Sequence, residues 1–143
     1  MQNQIEVRMH LEFEQIDQKN LSIQIIANNK TVYQCNNDLK QVVEFCMDIP
    51  GTIEIISSGK ESTDTIVGPN LEILKDKHVK ISKVVIDKMP IKLWILEKHL
   101  FECRSNDNDH AWRTNYIGHN GSAKLHISCN SSFEFMLHLL SLS

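Results

Sequence analysis

Residues 4–14 read Gln-Ile-Glu-Val-Arg-Met-His-Leu-Glu-Phe-Glu, so that Ile5, Val7, Met9, Leu11 and Phe13 alternate with Glu6, Arg8, His10, Glu12 and Glu14. Successive side chains of a strand point to opposite faces, and the run is therefore a half-buried antiparallel strand with one apolar and one charged side. A helix would scatter the same apolar residues around its circumference. Such a strand needs partners on its edges and a second apolar layer over its inner face.

Much of the remaining chain has the pattern to supply both. Asp17 to Asn20 makes a polar turn, and Leu21, Ile23 and Ile25 restore the alternation until Asn28-Asn29, which predicts a hairpin with the first strand. Asn36-Asn37-Asp38 is turn chemistry. Leu39, Val42, Val43, Cys46 and Met47 fit a helical period as well as a strand, and the strand through Val43, Phe45 and Met47 is preferred because Pro50-Gly51 ends it between strand neighbours. Residues 51–87 follow as turn, strand (Ile53, Ile55, Ile56), polar loop from Ser57 to Thr65, turn at Gly68-Pro69-Asn70, and strands over 71–74 and 79–87. They are expected to form a central hairpin. Val79 and Ile81 are out of phase with Val84 and Ile86, which predicts either a bulge near Ser82-Lys83 or burial on both faces beyond it.

Met89-Pro90 breaks that strand. The apolar patch Ile91, Leu93, Trp94, Ile95 and Leu96 suggests a single helical turn or a connection between sheets, with Trp94 expected in the core, and a strand resumes over 99–103. Residues 112–117 and 123–128 flank Gly118-His119-Asn120-Gly121, and Asn-Gly between alternating runs signals a hairpin turn. Ser131 or Ser132 can cap a helix carrying Phe133, Phe135, Met136, Leu139 and Leu140, although a last strand also fits. The expectation is one domain over 1–143, all-β, a jelly-roll-like antiparallel β-sandwich of roughly eight to ten strands with a short C-terminal helix.

Composition narrows the function classes. A net charge of −3 over 143 residues argues against a general nucleic-acid binder, because neutralising phosphates takes clustered Lys and Arg. The row Lys75, Lys77, Lys80, Lys83, Lys88 and Lys92 is broken by Glu72, Asp76 and Asp87 and reads as a solvated sheet face. Apolar runs are far shorter than a membrane span requires. Cys35, Cys46, Cys103 and Cys129 show no metal-binding spacing. With polar Gln2, Asn3 and Gln4 after Met1, folding in a reducing cytosol is expected, with free thiols packed as small hydrophobes.

Few motifs carry chemistry. Gly59-Lys60 is followed by Glu61 and lacks the preceding glycine of a phosphate-binding loop. Gly118-x-x-Gly121 joins strands, unlike the helix-joining clamp of an RNA-binding KH domain. The histidines form no close-spaced pair, and His119 and His126 approach each other only if they flank one hairpin. No nucleophile elbow is present, so the chain reads as a non-enzyme. Calcium is the one cofactor the oxygen-rich loops suggest, with Asp64 beside Thr63 and Thr65, and Asp107 and Asp109 within Asn106-Asp107-Asn108-Asp109, as its ligands. An exposed loop would also contain such residues without a metal. Trp112 and Tyr116, taken as one strand, share a face beside that loop. There they either stack on a sugar or pack under the hairpin, and Asp64, Thr65, Trp112 and Tyr116 are the candidate ligand-binding residues.

Taken in order, Ser58-Gly59-Lys60, Asp64-Thr65, Asp76-Lys77-His78-Val79-Lys80-Ile81, Ile86-Asp87, Pro90-Ile91, Trp94-Ile95-Leu96-Glu97 and Tyr116-x-Gly118-x-Asn120-Gly121 resemble small β-sandwich proteins of tailed bacteriophages, marine ones above all. The middle of the chain is also similar to calcium-dependent carbohydrate-binding modules, in which a strand, an Asp-Thr loop and a second strand build the ligand edge. Here the acidic residues of that edge come down to Asp64 and Asp76. The resemblance implies a structural module of a virion, made in the host cytoplasm and present in many copies among other virion proteins. The other reading it implies is a calcium-dependent module that recognises a host or polysaccharide glycan.

Overall fold

The computed structural model describes residues 3–107 and 109–142. Asn108, within the oxygen-rich loop, lies outside them, as do Met1, Gln2 and Ser143. Two antiparallel sheets face each other. The first contains β1 (Gln4–Glu14), β4 (Lys40–Asp48), β8 (His78–Ile86), β9 (Met89–Pro90) and β12 (Tyr116–Ile117), in the order β12-β8-β1-β4 with β9 beside β8. The second contains β2 (Ser22–Ala27), β3 (Lys30–Gln34), β5 (Gly51–Ser58), β10 (Glu102–Ser105), β11 (Ala111–Arg113) and β13 (Gly121–Ile127), in the order β11-β10-β13-β5-β2-β3. A separate ribbon pairs β6 (Thr65–Val67) with β7 (Ile73–Asp76). The helical parts are α1 (Leu93–Ile95), which runs into a π-helical turn at Leu96–Leu100, and α2 (Ser132–Ser141). No helix among the described residues is long and apolar enough to cross a membrane.

The predicted alternation of β1 is realised in full: Ile5, Val7, Met9, Leu11 and Phe13 are buried and face a core that includes Ile23, Ile25, Ile53, Ile55, Leu125 and Ile127. Each fully buried aliphatic side chain of this kind contributes about 1.5–3 kcal/mol relative to exposure. The phase break in β8 is a bulge. His10 pairs with Lys83 and Leu11 with Ile81, leaving Ser82 as the extra residue, so that Val79, Ile81, Val84 and Ile86 all turn inward. Ser82 Oγ donates to the His10 carbonyl at 3.3 Å. Residues 40–48 are a strand, as preferred, with Gln41, Val43 and Met47 buried. The tail is a helix whose N-cap Ser131 accepts from the Glu134 amide at 3.2 Å, with Phe135 and Leu139 buried beneath it.

Three expected hairpins do not form. β1 pairs with β4 and β8, whereas β2 pairs with β3 and β5, so the turn at Asp17 (φ 53°) and Gln18 (φ 63°) carries the chain from one sheet into the other. β5 and β8 likewise lie in opposite sheets, so residues 51–87 are a crossover bearing the β6–β7 ribbon. The run 112–128 is split: β11 pairs with β10, β12 with β8 in the other sheet, and β13 with β10 and β5. The Asn-Gly signal misleads here because a tight hairpin needs positive φ at both residues, and among the described glycines only Gly59 has it, at 82°. Gly121 serves another need, since a Cβ there would strike the Arg104 carbonyl oxygen.

Smaller corrections concern burial. Trp94 lies 36% exposed at the surface, while Ile95, Leu96, Leu100 and Phe101 fill the core beneath it. The strand expected from His99 starts at Glu102 because the π-helical turn occupies 96–100. Lys77 is buried, unlike the rest of its lysine row. All four cysteines are free, and Cys46 is exposed rather than packed. The buried Cys103 thiol is pushed up to about 11 by its burial.

Candidate functional site

The charged residues that leave solvent gather where β1 ends and β8 begins. Glu14, the last residue of β1, pairs with His78, the first of β8, and just before it β7 closes on Asp76. Thr65 stands opposite Asp76 in the ribbon, and the Lys77 amide donates to the Asp64 carbonyl at 2.9 Å. Backbone pairing thus sets Asp64, Thr65, Asp76 and Lys77 side by side. From the other sheet, the loop after β5 brings Lys60, whose main chain is gripped by the Asn120 side chain: the Lys60 amide donates to Oδ1 and Nδ2 donates to the Lys60 carbonyl, both at 2.8 Å.

Two ammonium groups then meet two carboxylates. Lys60 Nζ is paired with Asp76 Oδ1 and donates to the Lys77 carbonyl at 2.6 Å. Lys77 Nζ lies 3.6 Å from Asp64 Oδ2 and donates to the Gly59 carbonyl at 3.3 Å. All four charged side chains keep only between 10% and 12% of their surface exposed. Asp76 is the hub. Oδ1 also accepts from Thr65 Oγ1 at 2.7 Å, Oδ2 accepts from the Tyr116 hydroxyl, and its amide donates to Glu14 Oε1 at 2.6 Å. The second oxygen-bound amide, that of Glu61, donates to Asp64 Oδ2 at 2.8 Å. Buried charges persist only when paired and hydrogen-bonded in this manner.

These contacts set the local titration. Burial alone would raise the Asp76 carboxyl, but hydrogen bonds from Lys60, Tyr116 and Thr65 outweigh it and hold the group below its ordinary value. Burial of the Tyr116 hydroxyl, with the negative charges of Asp76 and Glu14, raises that phenol well above the usual range. Burial also lowers His119, and the Lys60 charge adds to the effect, outweighing backbone hydrogen bonds at Arg104 and Ser122 that act the other way. Two aromatic contacts frame the crossover between β12 and β13. Tyr116 stacks on His78 with centroids 4.1 Å apart, and Trp112 meets His119 edge-on at 4.8 Å. His119 Nε2 is buried without a hydrogen-bond partner.

Of the residues nominated from sequence, Asp64, Thr65 and Tyr116 converge on this cluster, the last two through direct hydrogen bonds to Asp76. Trp112 lies beyond the crossover on His119. Trp112 and Tyr116 do not share the face of one strand, because β11 and β12 belong to different sheets. Asp107 and Asp109 sit exposed on their own loop, where the Asp107 amide donates to Ser105 Oγ at 3.3 Å. His126 pairs with Thr52 at 2.9 Å rather than approaching His119. Lys60, Lys77, His78, His119 and Asn120 complete the cluster; local patterns mark them as loop, strand and turn residues and do not distinguish them as site residues. A buried lysine looks like any other until its counter-charge arrives from elsewhere in the chain.

No protein-family model matches the chain, and no curated protein matches it in sequence. Two solved structures match it in fold. One is the selenomethionine form of vCBM60, from work on circular permutation between two families of calcium-dependent carbohydrate-binding modules. It superposes with a TM-score of 0.53 at 7% identity, over 86% of this chain and 91% of that one. The other is vCBM60 in complex with galactobiose, with a TM-score of 0.52 at 7% identity, over 85% of this chain and 97% of that one. The chain therefore has a β-sandwich fold similar to that of these carbohydrate-binding modules.

Calcium takes six to eight oxygen ligands at about 2.3–2.6 Å. The described residues of this chain contain no group of three or more His, Cys, Asp or Glu side chains able to hold a metal. Asp64 is engaged by Lys77, and Asp107 and Asp109 remain exposed and apart from the buried pairs. The donor set at this edge does not fit the ion.

Proposed function

We propose that this chain is a non-catalytic carbohydrate-binding module that takes a glycan at the crossover edge, with Trp112 and Tyr116 as stacking surfaces and Asp64 and Thr65 in the polar framework beside them. The observation that carries the reading is the frame around residues 118–120. On one side Tyr116, 39% exposed, lies flat on His78; on the other Trp112, partly buried against the core, keeps part of its surface open and rests on His119. Sugar rings present C–H faces to aromatic planes and hydroxyls to polar groups, and a frame already locked by internal hydrogen bonds loses little freedom on binding. The fold match to a module seen with galactobiose supports the same reading. The same fold match to carbohydrate-binding modules supports a non-catalytic role.

A glycan array probed with the folded protein and with Trp112→Ala tests it. The expected result is a defined glycan signal that falls about five- to tenfold in the variant, the cost of losing one stacking contact of about 1–1.4 kcal/mol. No signal from folded wild-type protein would reject the reading.

A second reading, a structural module of a tailed-phage virion made in the host cytoplasm and present in many copies, is favoured by exposed apolar side chains. Leu71, Ile73 and Leu74 on the ribbon are 85%, 67% and 62% exposed, and Phe133 on α2 is 71% exposed. Surface of that kind marks contacts with other chains. Mass spectrometry of purified particles, with this chain absent, would exclude it.

A further inference from the structure

We infer that Lys60 and Lys77 do at this edge what a bound cation would otherwise do: they tie the loop after β5 to Asp64 and Asp76, so that the edge is organised and binds without calcium. Each ammonium sits between one carboxylate and one backbone carbonyl. Lys60 Nζ lies between Asp76 Oδ1 and the Lys77 carbonyl, Lys77 Nζ between Asp64 Oδ2 and the Gly59 carbonyl. Two oxygens suffice for an ammonium but fall short of the roughly six to eight that calcium takes, and the positive charge at the edge comes from the same chain. The two pairs interlock, because Lys60 also holds the carbonyl of Lys77 and Asn120 holds the main chain of Lys60. A divalent ion entering here would confront two buried ammonium groups already paired with Asp64 and Asp76. Expelling the lysines would break their bonds to the Lys77 and Gly59 carbonyls and untie the loop after β5, so both routes are costly.

The ligand half of this statement rests on the glycan reading; the cation half does not, and thermal melting of the full chain tests it alone. The wild-type melting temperature is expected to agree within about 1 °C between EDTA and millimolar calcium, because only an ion that binds the folded state raises it. Lys77→Met is expected to melt about 10 °C lower, since it leaves Asp64 buried without its partner. Lys77→Met/Asp64→Leu is expected to regain part of that loss. A saturable rise of the wild-type melting temperature with calcium would overturn the inference, as would Lys77→Met melting like wild type. If Lys77→Met does not fold, the wild-type calcium titration and the double variant still decide. A glycan signal on the array that survives EDTA supports the ligand half, and one lost in EDTA with melting unchanged overturns that half alone. Absence of any glycan signal rejects the glycan reading, while the melting data still judge the lysines.

Discussion

The edge around Asp76 and the groove beside α2 handle unfavourable surface in opposite ways. At the edge, Asp64, Asp76, Lys60 and Lys77 are withdrawn from solvent, and each meets an opposite charge within the same chain. Between Met89, Pro90 and Ile95 on one side and Met136, Leu139 and Leu140 on the other, a groove of about 150 Å³ stays open, with Met89 54% and Leu140 56% exposed. A buried charge without a partner destabilises the fold by several kcal/mol. An exposed apolar side chain costs the isolated fold little and acts on association instead. Changes at the edge should therefore register as stability, and changes at the groove as contact with other molecules.

The largest contrast pairs Asp76→Ala with Leu140→Ser. The first strands Lys60 and removes the acceptor of Tyr116 and Thr65, with an expected loss of about 3–5 kcal/mol in denaturant unfolding. The second should stay within about 0.5 kcal/mol. Equal losses would break the contrast between the two regions.

Tyr116→Phe sharpens it. Loss of the hydroxyl bond to Asp76 is expected to cost about 1–2 kcal/mol at neutral pH. Because the folded-state phenol is raised, its contribution is complete below the unfolded value near pH 10 and is lost as pH rises past it. The melting temperature of wild type should then fall in alkali toward that of the variant; a constant gap up to pH 11 would argue that the hydroxyl does not titrate with folding.

The smallest effect concerns His119. Its folded-state value is lowered, so its contribution is present above the unfolded value of about 6.5 and is lost as pH falls below it. The depressed Asp76 adds its own loss only as pH drops below 3.8 toward its folded value. Wild type should lose melting temperature between pH 7 and about 5.5 faster than His119→Gln does. Parallel curves would assign the acid sensitivity to other groups.

Much of the fold was legible because strand faces are a local property. The alternation of Ile5 to Phe13, the bulge at Ser82 and the Ser131 cap each depend on neighbours a few residues apart. The strand partners were not legible, because alternation states which face is apolar and is silent about which strand lies alongside. At the site, loop chemistry pointed to Asp64 and Thr65 and aromatic character to Tyr116, whereas Asp76, the hub that joins the last two, stood out only as a break in a row of lysines and through the likeness of its stretch to a carbohydrate-module edge. Asp64 and the pair Asp107 and Asp109 stood out as two candidate calcium loops on composition alone, and among the described residues neither gathers three metal-holding side chains.

By itself, the sequence determined an all-β chain whose strands turn Ile, Val, Leu and Met inward, with a tail that fits a capped helix as well as a last strand. Only the tertiary structure decided which strands are neighbours, why Gly121 must be glycine beside Arg104, and which lysine meets which carboxylate. The physical reason is range. Side-chain periodicity and capping act over a few residues, whereas Lys60 reaches Asp76, and Tyr116 completes its shell, only once the two sheets have packed and their crossovers have brought distant loops to one edge.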